Sequence, residues 1–218
     1  MTQQVERSRE NAGAGRALTA PCSLLDGGFF ERSVHAVARD LVGCALLYRG
    51  VGGVIVEAES YQRDDPACHA YVGFTARTAT LFGPPARAYV YLSYGIHSCL
   101  NFVCEPEGQA AAVLIRALEP RWGIEEMRRR RRRHSLRDLC SGPGKLTKAL
   151  AIGLDIDRAP ICAPPFELRG RDADWANVEV ARGPRIGITR AAELPWRFCA
   201  RDSRYLSRPL RSSAARPA

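Results

Sequence analysis

Apolar and polar positions alternate with period two over several short stretches of the chain and fall at helical spacing over a few others. Cys44-Ala-Leu-Leu-Tyr48, a break at Arg49-Gly50, and the run from Val51 to Tyr61 predict a β-hairpin closed by a glycine-containing turn. Residues 88–91, 98–103 and 110–117 are further strand candidates, with 185–189 and 196–200 as late ones. Val34, Val37 and Ala38 sit at helical spacing within 31–40. Helices are also predicted over 124–134 and over 143–152, the latter opened by Pro143 in its first turn. Strands and helices mix without a βαβ rhythm. This predicts an α+β fold, a single compact domain with a curved, largely antiparallel sheet and surrounding helices. Residues 1–20, polar and Gly/Ala-rich, read as a flexible leader; 21–206 form the domain; 207–218, rich in Ser, Arg, Pro and Ala, read as a flexible tail.

One strand carries unusual cargo. Along Val54-Ile-Val-Glu-Ala-Glu-Ser-Tyr61, alternation puts Glu57, Glu59 and Tyr61 on one face, and Val56, Ala58 and Ser60 on the other. Two carboxylates and a phenol beside a β-branched run suit the floor of a site. They would serve equally as surface partners for arginine, and the pattern alone leaves both readings open. Arg116, inside the apolar run Val113-Leu-Ile-Arg-Ala117, is a candidate partner for either carboxylate. Cleavage of a base–sugar bond needs a water activated on the face of the sugar opposite the leaving base, a task commonly given to a carboxylate.

Downstream, Ala88-Tyr-Val-Tyr-Leu-Ser-Tyr-Gly-Ile-His-Ser-Cys-Leu-Asn101 is aromatic and short of charge. Tyr89, Tyr91 and Ser93 share a face, while Tyr94-Gly95 predicts a turn that would project Tyr94 outwards. Rings so placed could stack on an extruded base or wedge into a duplex; core packing explains a Tyr-rich strand as well.

Charge then narrows the partner. The 218 residues hold 32 Lys+Arg against 23 Asp+Glu, a net +9, which favours an anionic partner with nucleic acid first. Six consecutive arginines at 128–133 could track phosphates, or form a solvated helix end. Ser141-Gly-Pro-Gly-Lys145 opens a helix with small residues and a lysine, suiting a phosphate, but lacks P-loop spacing. The eight cysteines contain no Cys-x-x-Cys pair, and neither Cys68-His69 nor Cys99 with Cys104 matches a zinc site, so reduced and mostly buried thiols are expected. No apolar run is long enough to span a bilayer and the N-terminus lacks a secretory h-region, which predicts a cytoplasmic protein without membrane contact.

With these residues in order, the chain resembles the alkyladenine (3-methyladenine) DNA glycosylases, monofunctional base-excision enzymes. Matching blocks are Val56-Glu-Ala-Glu-Ser-Tyr61, Asp65-Pro-Ala-Cys-His69, Tyr89-Val-Tyr-Leu-Ser-Tyr-Gly95 through Asn101, Leu114-Ile-Arg-Ala-Leu-Glu-Pro120, Ser141-Gly-Pro-Gly-Lys-Leu146 and Pro195-Trp-Arg-Phe198. The resemblance implies that Glu59 activates the water, helped by Arg116 and the main-chain carbonyl of Ile186. It implies that Tyr61, His69 and Tyr91 sandwich the flipped base, that Asn101 disfavours guanine's exocyclic amino group, and that Tyr94 fills the vacated space in the duplex. Lys145, Arg128 and Arg129 are candidate contacts to the DNA backbone. It further implies hydrolysis without strand cleavage, no metal, no organic cofactor, and a monomer acting on double-stranded DNA with damaged purines, at the nucleoid if bacterial. Two departures, a loop between Glu59 and His69 shorter by one residue and Thr75-Ala-Arg-Thr78 in place of Thr-Pro-Arg-Asn, bear on substrate range. A silent DNA-binding relative and an RNA or nucleoside hydrolase are the rival readings; Glu59 argues against the first and Tyr94 against the second.

Overall fold

A computed structural model describes residues 23–210, and the predicted leader lies outside them. Eight strands form one sheet in which every pairing is antiparallel: β1 (Cys44–Tyr48), β2 (Val51–Tyr61), β3 (Ala88–Ser93), β4 (His97–Cys104), β5 (Ala111–Trp122), β6 (Phe166–Arg171), β7 (Val180–Gly183) and β8 (Arg197–Ala200). The main path runs β3-β4-β5-β2-β1-β6, and β8 joins β2 on one side and β7 on the other. Five helices accompany it: α1 (Gly27–Phe30), α2 (Val34–Leu41), α3 (Ile124–Arg131), α4 (Arg137–Cys140) and α5 (Pro143–Leu150). The architecture is α+β in a single domain, as the mixed pattern predicts.

The β1–β2 hairpin turns through Arg49 and Gly50, both at positive φ (51° and 75°), the geometry that matches the twist of two-residue hairpins. Gly52 and Gly53 then let β2 pass between its neighbours: a Cβ there would lie 2.0 Å from the Leu46 carbonyl oxygen or 2.1 Å from that of Glu119.

Alternation sorts the sheet into two faces. Val90, Leu100, Phe102, Val113, Ile115 and Ala58 enter the main core, with α2 and α5 packed against it. Their neighbours Tyr89, Val103 and Ala112 enter a second, smaller apolar cluster with Cys68, Ala70 and Leu81, against which Tyr61, Phe82 and Tyr91 pack. Period-two chemistry in β2, β3, β4 and β5 therefore builds a core on one face and a ring-lined site on the other.

Four features depart from the pattern. Residues 185–189 are not a strand: Gly187 sits at φ 78°, and the Ile186 amide bonds a side chain instead of a ladder. β5 runs on past residue 117, carrying Pro120 opposite Gly53 where the register shifts. β6 and β7 are additional strands. The predicted tail begins at Ser207, yet 207–210 are described and bonded to the domain, with Ser207 held by Glu57 and the Arg208 carbonyl by Arg197. No helix among the described residues is long and apolar enough to cross a membrane.

Candidate active site

β2 is the spine of the site. Its second half pairs with β5 on one side and β8 on the other, so Glu57 and Glu59 lie in mid-sheet, both fully buried. The register with β5 shifts on both sides of Glu57: Ala117 pairs with Glu57 and Ile115 with Ala58, passing over Arg116. Bulges re-aim side chains, and here Arg116 reaches both carboxylates. Its Nε donates to Glu57 (2.9 Å) and its Nη1 to Glu59 (3.1 Å). Glu57 also accepts from Arg197 Nε (2.8 Å), so two carboxylates and two guanidiniums balance in charge where isolated ions would be prohibitive.

Glu59 collects three donors. Its Oε1 accepts the Ile186 amide at 2.7 Å; its Oε2 accepts the Tyr61 hydroxyl at 2.8 Å besides Arg116. A carboxylate offers about four acceptor positions, so one on Oε1 remains. Burial pushes the Glu59 carboxyl above its ordinary 4.5, against the pull of Arg116, the Ile186 amide and Tyr61, with Glu57 adding to the rise. Burial and the Glu59 charge together hold the Tyr61 phenol well above its usual range, so it stays a donor.

Tyr61 links this cluster to a cavity of about 240 Å³ lined by Tyr61, His69, Tyr89, Tyr91, Asn101 and, at the mouth, Tyr94 and Arg77. That is smaller than the roughly 300–1,000 Å³ typical of drug-sized ligands and suits one flat base. His69 opens a short 3-10 turn (His69–Val72) whose N-cap is Cys68. Its ring meets Tyr91 edge-on at 4.5 Å, and Tyr91 stacks on Tyr89 at 5.6 Å. His69 Nδ1 lies 2.9 Å from the Tyr89 hydroxyl and Nε2 3.4 Å from the Arg77 guanidinium. Since a guanidinium only donates, Nε2 accepts and the ring carries its proton on Nδ1. Burial, then Arg77, lowers the His69 pKa from 6.5, in keeping with that neutral form. Asn101 Nδ2 donates to the Tyr89 carbonyl (3.1 Å), fixing the amide across the β3–β4 pair.

Tyr94 occupies the β3–β4 turn at φ 50° and is 87% exposed, with Ile96 (73%) and Leu92 (40%) exposed beside it. α5 starts next to this hairpin: a Cβ on Gly144 would lie 2.9 Å from that of His97. Lys145, in its first turn, bonds Ser141 at 3.3 Å.

The structure thus gathers Glu59, Arg116 and Ile186 in one cluster, Tyr61, His69, Tyr91 and Asn101 around one cavity, and Tyr94 at its mouth. The Ile186 group that touches Glu59 is the amide. Arg128 and Arg129 stand apart, paired with Glu125 and Glu126, while Arg130 reaches the Ala149 carbonyl at the C-terminal end of α5. Among the described residues no group of three or more His, Cys, Asp or Glu is arranged to hold a metal.

Four residues escaped the pattern. Asp65 and Arg185 form a buried ion pair whose guanidinium sits 4.6 Å from the Tyr61 ring and 5.0 Å from Trp196, donates to the Ser60 carbonyl (3.1 Å), and so ties Tyr61 to the loop bearing Ile186. Arg197 and Ser207 hold Glu57. A charge embedded in an apolar block (Arg197 before Phe198) was the one available signal; nothing local marks Ser207.

A ring-lined cavity backed by a buried carboxylate cluster on an antiparallel sheet has the make-up of an enzyme site. Comparison with known proteins gives the family. The methylpurine-DNA glycosylase (MPG) profile matches residues 28–204, and the chain belongs to that family. A Rhodopseudomonas palustris (strain HaA2) protein provisionally named 3-methyladenine DNA glycosylase is 54% identical over 204 residues, covering 94% of this chain and 98% of its own. Similarly named proteins of Bradyrhizobium diazoefficiens (56% over 185 residues, 85% and 91% covered) and Rhizobium meliloti (51% over 183, 84% and 96%) are also similar to it. Membership makes the chain a DNA glycosylase, an enzyme of DNA repair.

Proposed function

We propose that the chain rotates a damaged purine out of duplex DNA into the Tyr61/His69/Tyr91 cavity and hydrolyses its N-glycosidic bond, leaving an abasic site. The observation that carries this reading is Glu59: fully buried, and hydrogen-bonded to the cavity wall through Tyr61. A water at the remaining position on Oε1 gives its proton to Glu59 while its oxygen bonds to C1′; the C1′–N bond breaks and its electron pair leaves with the base. In this reading the Ile186 carbonyl, from the residue whose amide bonds Oε1, takes the water's other hydrogen. Arg116 keeps the carboxylate in one orientation.

Cationic N3- or N7-alkylated purines depart without further protonation, and electron-rich Tyr faces attract them. A neutral His69 adds no opposing charge. Asn101, fixed across the hairpin, occupies space that guanine's amino group would need. The chain's only lysines, Lys145 and Lys148, lie on α5 and line no part of the cavity, which supports hydrolysis without an imine intermediate or strand cleavage.

Tyr94 enters the gap left by the base, and Lys145 takes a backbone phosphate. Arg128 and Arg129 can join it by exchanging exposed glutamate pairs, worth about 0–1 kcal/mol, for phosphate. Tyr94→Ala should weaken capture of a lesion duplex by roughly 1–3 kcal/mol, the range for stacking on a base, with less effect on a lesion in single-stranded DNA. Stability should move by no more than about 0.5 kcal/mol because the ring is exposed. Equal losses on both substrates would remove the wedge role.

The reading is tested on duplexes carrying hypoxanthine, ethenoadenine or methylated purines, with alkali to reveal abasic sites. Base release with no strand break before alkali is expected. Tight binding of all three without release would favour the silent binder.

A further inference from the structure

The acceptor atoms of Glu57 are met from a segment 150 residues away in sequence. Ser207 donates its amide to Glu57 Oε2 (2.6 Å) and its hydroxyl to Glu57 Oε1 (2.7 Å). The same hydroxyl oxygen accepts from Arg116 Nη2 at 3.4 Å. Glu57 Oε1, Arg116 Nε–Cζ–Nη2 and Ser207 Oγ therefore close a ring of hydrogen bonds. Arg197 braces it from β8, donating Nε to Glu57 and one Nη to the Arg208 carbonyl, which fastens the chain directly after Ser207.

We propose that Ser207 is a positioning residue of the active site: by accepting from Arg116 Nη2 it holds the guanidinium in the orientation in which only Nη1 meets Glu59, and so preserves Glu59 as a base. This rests on the reading of Glu59 as the general base.

Acceptors in a buried space decide which way Arg116 points. Arg116 has three nitrogens and three partners, one each from Glu57, Ser207 and Glu59. A buried guanidinium N–H without a partner is costly, and the forked geometry of arginine favours two-pronged pairing with a carboxylate. Each Nη carries two N–H groups, so the Ser207 contact acts by orienting the guanidinium; without it, Arg116 can rotate to bring an Nη2 N–H onto Glu59 beside that of Nη1. Two contacts would bind the carboxylate more tightly, lower its basicity and draw it from the water. The other groups that face Glu59 are Glu57 and Tyr61 on its own strand, Tyr91 and Cys99 from the β3–β4 hairpin, Cys199 from β8 and Arg185 from the loop after β7. Ser207→Ala removes one hydrogen bond from Glu57 and substitutes none of the other groups.

The test uses the full chain and two readouts. The first is the titration midpoint of Glu59 by 13C NMR of the glutamate side-chain carboxyls, its resonance assigned by loss in Glu59→Gln. The second is single-turnover base release from a lesion duplex, with the dissociation constant measured alongside. Ser207→Ala is expected to lower the Glu59 midpoint by about half a unit or more. It should also slow release roughly tenfold at unchanged affinity, and Ser207→Thr should restore both. Should Ser207→Ala fail to fold, Ser207→Cys, close in size but a weaker donor and acceptor, should shift the midpoint in the same direction. An unchanged midpoint in the folded variant overturns the proposal, as does a Ser207→Thr chain that behaves like Ser207→Ala. The carboxyl titration needs no base release. If the wild type releases none, the assigned reaction falls while the midpoint still decides the role of Ser207.

Discussion

Asp65→Ala is expected to destabilise the fold by about 3–5 kcal/mol, the cost of leaving one member of a buried ion pair unpaired. Both side chains are fully enclosed, and Arg185 makes its two-pronged contact with Asp65 between the Tyr61 and Trp196 rings. Removing the carboxylate strands the guanidinium, whose Nε already lacks a partner, and also frees the Ala67 amide that Asp65 accepts at 2.9 Å. For a domain of this size the loss corresponds to a fall in Tm of roughly 6–20 °C. Because Arg185 precedes Ile186 and lies against Tyr61, base release should fall further than the unfolded fraction explains. Thermal and denaturant unfolding check the first part. A loss below about 1 kcal/mol would mean that water or a neighbouring carbonyl replaces Asp65, and that the pair is not the clamp described.

How much of this was legible in the sequence follows from what is local. The Glu57/Glu59/Tyr61 face and the Tyr89/Tyr91/Ser93 face came from alternation, a property of adjacent residues, and the sheet keeps both. The Tyr94 turn was legible from Tyr94-Gly95 lying between two strand patterns. Alternation misled at Arg185-Ile-Gly-Ile-Thr189, where the amide that would have entered a ladder is spent on Glu59 and Gly187 takes a left-handed φ. The strand predicted over 110–117 stops short of Pro120, but a register shift at Gly52 and Gly53 accommodates the proline within β5. β7, four residues long and ending in Arg182-Gly183, has too little pattern to detect and exists through its pairing with β8. Resemblance to the family supplied the roles of Glu59 and His69, which alternation could not separate from Glu57 and from any other loop histidine. Ser207 was illegible, and Arg197 marked only by its apolar neighbours, because both meet Glu57, a partner about 140–150 residues distant whose position only the folded sheet defines.

Glu59→Gln is expected to abolish base release while leaving the fold and lesion binding in place. The amide keeps the shape of the side chain and an oxygen for Tyr61 or Ile186, but cannot take a proton from water. General-base catalysis is worth typically 10²–10⁴-fold, so release should fall by at least about two orders of magnitude. The pH dependence has a definite sign. As a base Glu59 must be ionised, and burial holds its pKa above 4.5, so wild-type release should rise with pH through a midpoint above that value. The residual activity of Glu59→Gln should lack this limb.

Single-turnover release from one hypoxanthine or methylated-purine duplex, measured for the wild type and Glu59→Gln across pH with the dissociation constant of each, tests the central claim most directly. The account predicts near-total loss of release, equal affinity within a few-fold, and disappearance of the acid limb. Release by Glu59→Gln at a rate near that of the wild type, with the limb intact, would contradict it and place the base elsewhere in the site.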